Sequence, residues 1–265
     1  MTELHDWQQW RQDRGTELAA PHGWLSLTAL HFLPTEPTEF AGIPGRWSAS
    51  ELGAHLQITP SETFIPLTGT DPAPEYTWDV AEAQSLIIGS YLPVGREPAD
   101  QVHIELARRT RRLLIRTRDP LAPARTAFTG LVPSFDYSAQ WVLTVPVSWY
   151  DQPRAVVVQA AQAGLEHHLT AVGEVSLPDG ASTAKLQLVG AAPGAPAQLL
   201  FTDGRGPQLP WRVVTAQPVG ADQVEIDFNR AANLPFAFSD FGTCPAPVAG
   251  NALPYPVTAG ELVPR

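Results

Sequence analysis

The feature that most constrains this chain is a long series of short apolar or alternating segments, separated by Pro, Gly and Asp, from about Arg46 to Phe228. Segments of this length and spacing are typical of β-strands. The clearest are HLQIT (55–59), TFIPL (63–67), QSLIIGSYL (84–92), QVHIELA (101–107), RLLIRTR (112–118) and QWVLTVPV (140–147), and RAVVVQA, AKLQLVG, AQLLF, WRVVTA and QVEIDF continue the series. The pattern predicts an all-β, mostly antiparallel sandwich or barrel.

The two ends of the chain differ from this pattern. Apolar residues recur near helical spacing between residues 3 and 20, with no proline among them, which predicts an N-terminal α-helix. The next segment, GWLSLTALHFL (23–33), fits either a short buried helix or a strand. We assign residues 1–34 to a helical segment packed on the main domain and 35–265 to a β-rich domain. The C-terminus is irregular and rich in proline, so we expect an ordered tail over the sheet.

Composition excludes several classes of function. Seventeen basic residues against 27 acidic ones give a formal net charge of −10, which disfavours nucleic acid as a partner. No apolar run approaches the ~18 residues that cross a bilayer, so we expect no membrane insertion. Cys244 is the only cysteine, and the N-terminus lacks the pattern of a signal peptide. We therefore predict a cytoplasmic protein.

Motifs for metals and cofactors are absent from the sequence. His167 and His168 are adjacent, and neighbouring side chains of a strand point to opposite faces, so they do not share one ion without a bend. No glycine-rich phosphate loop, GxSxG motif or CxxC pair occurs. We predict neither a metal nor a cofactor. His22, which precedes a glycine in a loop, is a candidate base.

Six arginines lie between Arg108 and Arg118. Arginines two positions apart on a strand share a face and can clamp a carboxylate or a phosphate. The alternative is that most of this set forms a solvated face of the sheet. Arg116 and Arg118, next to Asp119, are the better candidates for ligand binding.

The segment from Val224 to Glu261 holds a second group of polar residues. Glu225 and Asp227 alternate with apolar residues on the last predicted strand, and Asn229, Arg230 and Asn233 follow it. Such side chains orient one another at strand ends, where β folds display their sites. They equally satisfy the backbone of an irregular tail. The sequence leaves both interpretations open.

Several segments in the same order resemble the bacterial family catalogued as domain of unknown function 1684. They are GWLSLTALHFL preceded by Arg11 and Arg14, RDPLAPARTAFTGL (118–131), DFNRAANLPFAF (227–238), CPAPVAGNALP (244–254) and AGE (259–261). The resemblance implies kinship and no particular reaction. The chain departs from the family at Ala232, where members have Tyr, and at Phe236, where they have the first of two Cys. A two-cysteine metal or redox site is therefore impossible here.

Three hypotheses for function follow. The leading one is a module that binds a small, possibly anionic ligand in a pocket. Its predicted ligand-binding residues are Arg116, Arg118, Arg125, Arg212, Asp227, Asn229, Arg230 and Asn233. The alternative is a hydrolase-like enzyme with Asp227 or Asp119 as the base, in which Asn229 and Arg230 stabilise an oxyanion. The third is a purely structural role, in which the polar C-terminal residues hold the tail.

Overall fold

The computed structural model describes residues 3–67, 73–179, 182–206 and 209–264. It is mostly β and forms two compact units. Residues 16–129 make up one, which we call the sandwich unit; residues 1–15 and 130–265 make up the other, the barrel unit. The sequence-based division at residue 34 stays a prediction. Within the described ranges, no helix is long and apolar enough to cross a membrane.

Where the chain is described, two helices and several 3-10 turns accompany the strands. Helix α1 spans Glu3–Leu18, and the short helix α2 spans Pro123–Thr126. The predicted N-terminal helix is therefore confirmed. Trp7 is buried on its inner face, and its Nε1 donates to the carbonyl oxygen of Asn229 at 2.9 Å, which fixes α1 in the barrel unit.

Among its described residues, the sandwich unit has nine strands in two antiparallel sheets. They are β1 (Leu27–Phe32), β2 (Thr38–Phe40), β3 (Ile43–Ser50), β4 (Gly53–Gln57), β5 (Ile65–Pro66), β6 (Glu75–Trp78), β7 (Ser85–Tyr91), β8 (Val102–Arg109) and β9 (Arg112–Arg118). Their orders are β1-β9-β8-β7-β5 and β2-β3-β4-β6. The ambiguous segment 23–33 is a 3-10 turn, Trp24–Ser26, that leads into strand β1. Trp47 and Leu56 of one sheet and Ile104 and Ile115 of the other share one buried core.

The barrel unit is built from seven strands in the described part of the chain. They are β10 (Val142–Gln159), β11 (Glu166–Asp179), β12 (Ser182–Val189), β13 (Ala197–Phe201), β14 (Arg212–Pro218), β15 (Gln223–Asp227) and β16 (Ala232–Asn233). Strands β10 to β15 close into a six-stranded antiparallel barrel, because β14 pairs with both β13 and β15. Closure leaves the barrel strands without open edges. The predicted all-β, antiparallel architecture is confirmed.

The C-terminal tail is ordered and contributes to the core of the barrel unit. Leu253, Val257 and Ala259 are buried there together with Phe201 and Phe228. Most tail residues form no strand, so their backbone groups bond to side chains and to isolated partners. For example, Leu253 N–H donates to the carbonyl oxygen of Thr202 at 2.9 Å. The prediction of an irregular, ordered tail is confirmed.

The turn that begins β4 depends on glycine, which leads to a first prediction. Gly53 has a φ of +129°, and a Cβ there would lie 2.1 Å from the carbonyl oxygen of Trp78. We expect Gly53→Ala to lower the free energy of unfolding by about 2 to 3 kcal/mol in urea titrations. Gly42→Ala is the control, because Gly42 also has a positive φ, +76°, but nothing lies within 4 Å of the added methyl group. Its expected loss is about 1 kcal/mol, and an equal loss in both variants would contradict the steric argument.

Candidate functional site

The two arginines predicted on β9 share one buried carboxylate. Arg118 Nε donates to Glu105 Oε2 at 2.7 Å, and Arg116 Nη2 donates to Glu105 Oε1. All three residues are buried, at 3% exposure for Glu105, 2% for Arg116 and 8% for Arg118. Burial raises the pKa of Glu105, but the two guanidinium groups more than offset this and hold it below its usual value. Arg116 and Arg118, the two candidates for ligand binding, thus pair with a carboxylate of the protein, and ligand binding by them stays a prediction. The solvated face proposed for most of the other arginines is wrong for Arg109, which is buried.

Arg125 and Asp119 stabilise the irregular backbone around α2. Arg125 Nε donates to the carbonyl oxygen of Ala19 at 2.9 Å, and its Nη1 donates to that of Pro120 at 2.6 Å. Asp119 accepts two bonds from Arg96, at 2.6 and 2.9 Å, and one from the Leu121 N–H. Ligand binding by Arg125 and base catalysis by Asp119 stay predictions, and the structure places both residues beside protein partners.

Arg212 lies inside the barrel unit and is 0% exposed. Its Nη2 bonds Asp203 Oδ2 at 2.7 Å and the carbonyl oxygen of Val257 at 3.1 Å, and its Nη1 bonds the carbonyl oxygen of Ala259. Burial, and then the charge of Arg205, lower the pKa of Arg212 to about 10. The guanidinium is therefore still charged at neutral pH, and its hydrogen bonds attach the tail to the barrel.

Asn229 and Asn233 are buried and bond the backbone. Asn229 Oδ1 accepts from the Ser138 N–H at 2.9 Å, and its Nδ2 donates to the Ser138 carbonyl oxygen at 3.0 Å. Asn233 Nδ2 donates to the carbonyl oxygen of Leu262 at 2.7 Å. Such contacts to backbone groups are expected if the polar residues of the C-terminal segment satisfy the backbone of the irregular tail.

Asp227 and Arg230 lie together on a cavity of about 390 Å³ on the outer side of the barrel, which we call the barrel cavity. Arg230 Nε is 3.2 Å from Asp227 Oδ2, and the arginine side chain is 40% exposed. Asp227 Oδ1 accepts from the Asn229 N–H at 3.0 Å, so one oxygen caps the backbone while the other faces Arg230. The lining consists of Glu3, Asp6, Trp10, Tyr137, Val142, Val214, Thr215, Gln217, Glu225, Asp227 and Arg230.

Carboxylates dominate the charge of the barrel cavity. Glu3, Asp6, Glu225 and Asp227 are acidic, and Arg230 is the one cation among the described lining residues. Tyr137 donates its hydroxyl to Glu3 Oε2 at 2.8 Å. Burial, and then the carboxylates of Glu3 and Asp227, raise the pKa of Tyr137 to about 12, so the phenol stays a hydrogen-bond donor.

The sequence predicts only part of the lining of the barrel cavity. Glu225 and Asp227 were recognised as sharing a face of the last long strand, and both line the cavity. Glu3, Asp6 and Trp10 were not assigned to the site, although their spacing places them near one face of α1. Tyr137 lies in a loop and has no local pattern. Among the described residues, no group of three or more His, Cys, Asp or Glu is arranged to hold a metal ion.

Comparisons with known proteins give a family and a partial structural likeness. A family model described as "Protein of unknown function (DUF1684)" matches residues 126–262, which include Tyr137, Asp227 and Arg230. No curated protein matches the chain. The solution NMR structure of the uncharacterized protein from gene locus rrnAC0354 of Haloarcula marismortui is similar at 22% identity. That likeness covers 52% of this chain and 80% of that one, with a TM-score of 0.43.

Proposed function

Since this chain belongs to the family DUF1684, whose function is unknown, we propose a function from its own geometry: the barrel cavity binds a small molecule that carries a cationic group. The observation that carries the proposal is the convergence of acidic and aromatic side chains from α1, β15 and the loop before β10 on one cavity. Small-molecule sites are concave and present a few polar groups from separate elements.

The charge of the lining supports a cation. Four carboxylates face one guanidinium, and Arg230 is already paired with Asp227. An anion entering the barrel cavity meets net repulsion, whereas an ammonium group replaces lost hydration with carboxylate contacts. Trp10 and Tyr137 add aromatic rings, which attract cations. The anionic ligand expected from the arginine-rich segments does not fit this cavity.

The hydrolase alternative requires Asp227 in a concave site, and Asp227 does line the barrel cavity. It also requires Asn229 to reach a developing oxyanion. The Asn229 side chain is instead buried and bonded to both backbone groups of Ser138. Asp227 Oδ1 is likewise engaged by the Asn229 N–H. These contacts favour binding over hydrolysis.

Ligand-dependent thermal unfolding tests the proposal. Choline and putrescine serve as cationic probes, and succinate and inorganic phosphate as anionic ones. A ligand at ten times its Kd adds about 1.4 kcal/mol of stability, so we expect the cations alone to raise Tm by several degrees. Glu225→Gln removes one lining carboxylate and is expected to weaken cation binding about 3- to 10-fold.

Asp222→Asn is the matched control, because Asp222 is an exposed carboxylate of the same unit and does not line the barrel cavity. It should leave cation binding within about 2-fold of the unmodified protein. Stabilisation by the anions alone would overturn the assignment of ligand charge. Equal losses in Glu225→Gln and Asp222→Asn would show that the cations bind elsewhere.

A further inference from the structure

A second cavity, of about 270 Å³, lies within the sandwich unit. We call it the histidine cavity, because His22 and His103 line it together with Ser85, Glu105 and Arg118. His103 and Glu105 lie two residues apart on β8, and alternation along a strand puts their side chains on the same face of the sheet. Strand β9 runs beside β8 and places Arg118 opposite His103 and Arg116 opposite Glu105.

The two imidazole rings are stacked. Their centroids are 3.5 Å apart and their planes differ by 4°. His22 Nε2 lies 2.9 Å from the carbonyl oxygen of Gln101, which only accepts, so Nε2 carries a proton and donates it. In the neutral ring, Nδ1 of His22 is therefore unprotonated.

The fixed charges beside the rings sum to a positive value. Glu105 is a single carboxylate shared by the guanidinium groups of Arg116 and Arg118, so this buried group carries one uncompensated positive charge. Arg116 Nε is also buried without a hydrogen-bond partner. Asp119, whose pKa responds to the charge of His22, forms an ion pair with Arg96 at 2.6 Å. Arg109 bonds the hydroxyl of Ser85, which lines the cavity, at 2.9 Å. Low local polarity strengthens the field of the remaining charge.

We propose that the histidine cavity is a binding site for a small oxyanion, such as the carboxylate or phosphoryl group of a metabolite, held between the stacked imidazoles and Arg118. The excess charge of the arginine pair attracts the anion, and the imidazolium form of His103 donates to it. This site belongs to the sandwich unit and is independent of the cation proposed for the barrel cavity.

Binding at this site is expected to depend on pH. The titratable and charged groups around the rings are His22 before the Trp24–Ser26 turn, His103 and Glu105 of β8, Arg116 and Arg118 of β9, and Asp119 after β9. Burial, and then the neighbouring His22 and Arg118, lower the pKa of His103. An anion favours the imidazolium form of His103, so its affinity rises as pH falls through the lowered pKa of that ring. By the same linkage, a bound anion raises the pKa of His103.

The test uses the full chain and sulfate, whose charge is constant over the pH range. Titration calorimetry at pH 5.5 and pH 8 is expected to give about 10-fold tighter binding at the lower pH. In parallel, the imidazole ¹⁵N resonances of His22 and His103 should shift on sulfate addition, whereas those of exposed His168 should not. Inorganic phosphate and acetate, compared at pH 5.5, distinguish a preference for phosphoryl groups from one for carboxylates.

His103→Gln removes the titrating ring and is expected to abolish the pH dependence, with His168→Gln as the matched control. If His103→Gln does not fold, the ¹⁵N shifts of the unmodified protein decide. The proposal would be overturned if sulfate bound with the same affinity at both pH values. It would also be overturned if the ¹⁵N resonances of His22 and His103 did not move when sulfate is added. Glu225→Gln should leave sulfate binding unaffected, so failure here is distinct from failure of the barrel cavity.

Discussion

Replacing Glu105 with Gln is expected to lower the free energy of unfolding of the sandwich unit by about 3 to 5 kcal/mol, as measured by urea titration. The neutral amide keeps the shape of the side chain but leaves Arg116 and Arg118 buried with no carboxylate between them. An uncompensated buried charge costs far more than the same group in water. The loss should therefore exceed that of any exposed carboxylate in this unit.

Glu75→Gln is the control, because Glu75 is an exposed carboxylate on a strand of the same unit. It should change the free energy of unfolding by less than about 0.5 kcal/mol. The triple variant Arg116→Met, Glu105→Leu, Arg118→Met removes all three charges and is expected to recover most of the lost stability. A triple variant as unstable as Glu105→Gln would indicate that packing, and not unpaired charge, causes the loss.

The contribution of the Glu105 carboxylate to stability depends on pH. The pKa of Glu105 is lower in the folded protein than its ordinary value of about 4.3, because the arginine contacts outweigh the effect of burial. The stabilisation that Glu105 provides is therefore complete at pH values above its ordinary pKa. It is lost as pH falls through the lower pKa that Glu105 has in the folded protein. Acid unfolding of the sandwich unit should begin at a higher pH in Glu105→Gln, because this contribution is already missing.

The strand segments illustrate how far the sequence predicts this fold. RLLIRTR and AQLLF coincide with β9 and β13, because alternation and flanking turns mark both ends of these strands. The runs at 140–147 and 154–160 were predicted as separate strands, but they belong to the single strand β10. The register between β10 and β11 shifts from Trp149 to Arg154, and this irregularity lets one strand continue across a polar stretch that resembles a loop.

The site residues were harder to predict, because their partners come from distant segments. Alternation on β9 suggested that Arg116 is free to bind a ligand, but Arg116 lies opposite Glu105 of the neighbouring strand, and their ion pair allows both to be buried. Glu105 lies in an apolar run with no local sign of an ion pair. His22 was recognised as a candidate base, whereas the stacked position of His103 depends on tertiary structure. Patterns within a strand predict which residues share a face, but not what covers that face.

Replacing Arg212 with Met is expected to lower the free energy of unfolding of the barrel unit by about 3 to 5 kcal/mol. The change leaves the buried Asp203 carboxylate with less compensation and removes the donors for the carbonyl oxygens of Val257 and Ala259. Both tail residues are buried in the barrel core, so the tail should loosen before the barrel strands do. Urea titration measures the global loss, and hydrogen exchange of the Leu253 and Val257 amides measures the local one.

Two further variants separate charge from geometry in this contact. Arg212→Lys keeps a cation for Asp203 but lacks the planar fork that bonds several acceptors at once, so we expect an intermediate loss of about 2 kcal/mol. Arg154→Met, which removes an exposed arginine of β10, should change stability by less than about 0.5 kcal/mol. If the tail amides exchanged no faster in Arg212→Met than in Arg154→Met, the buried guanidinium would not be the contact that holds the tail. The polar C-terminal residues would then owe their burial to packing of the neighbouring apolar side chains.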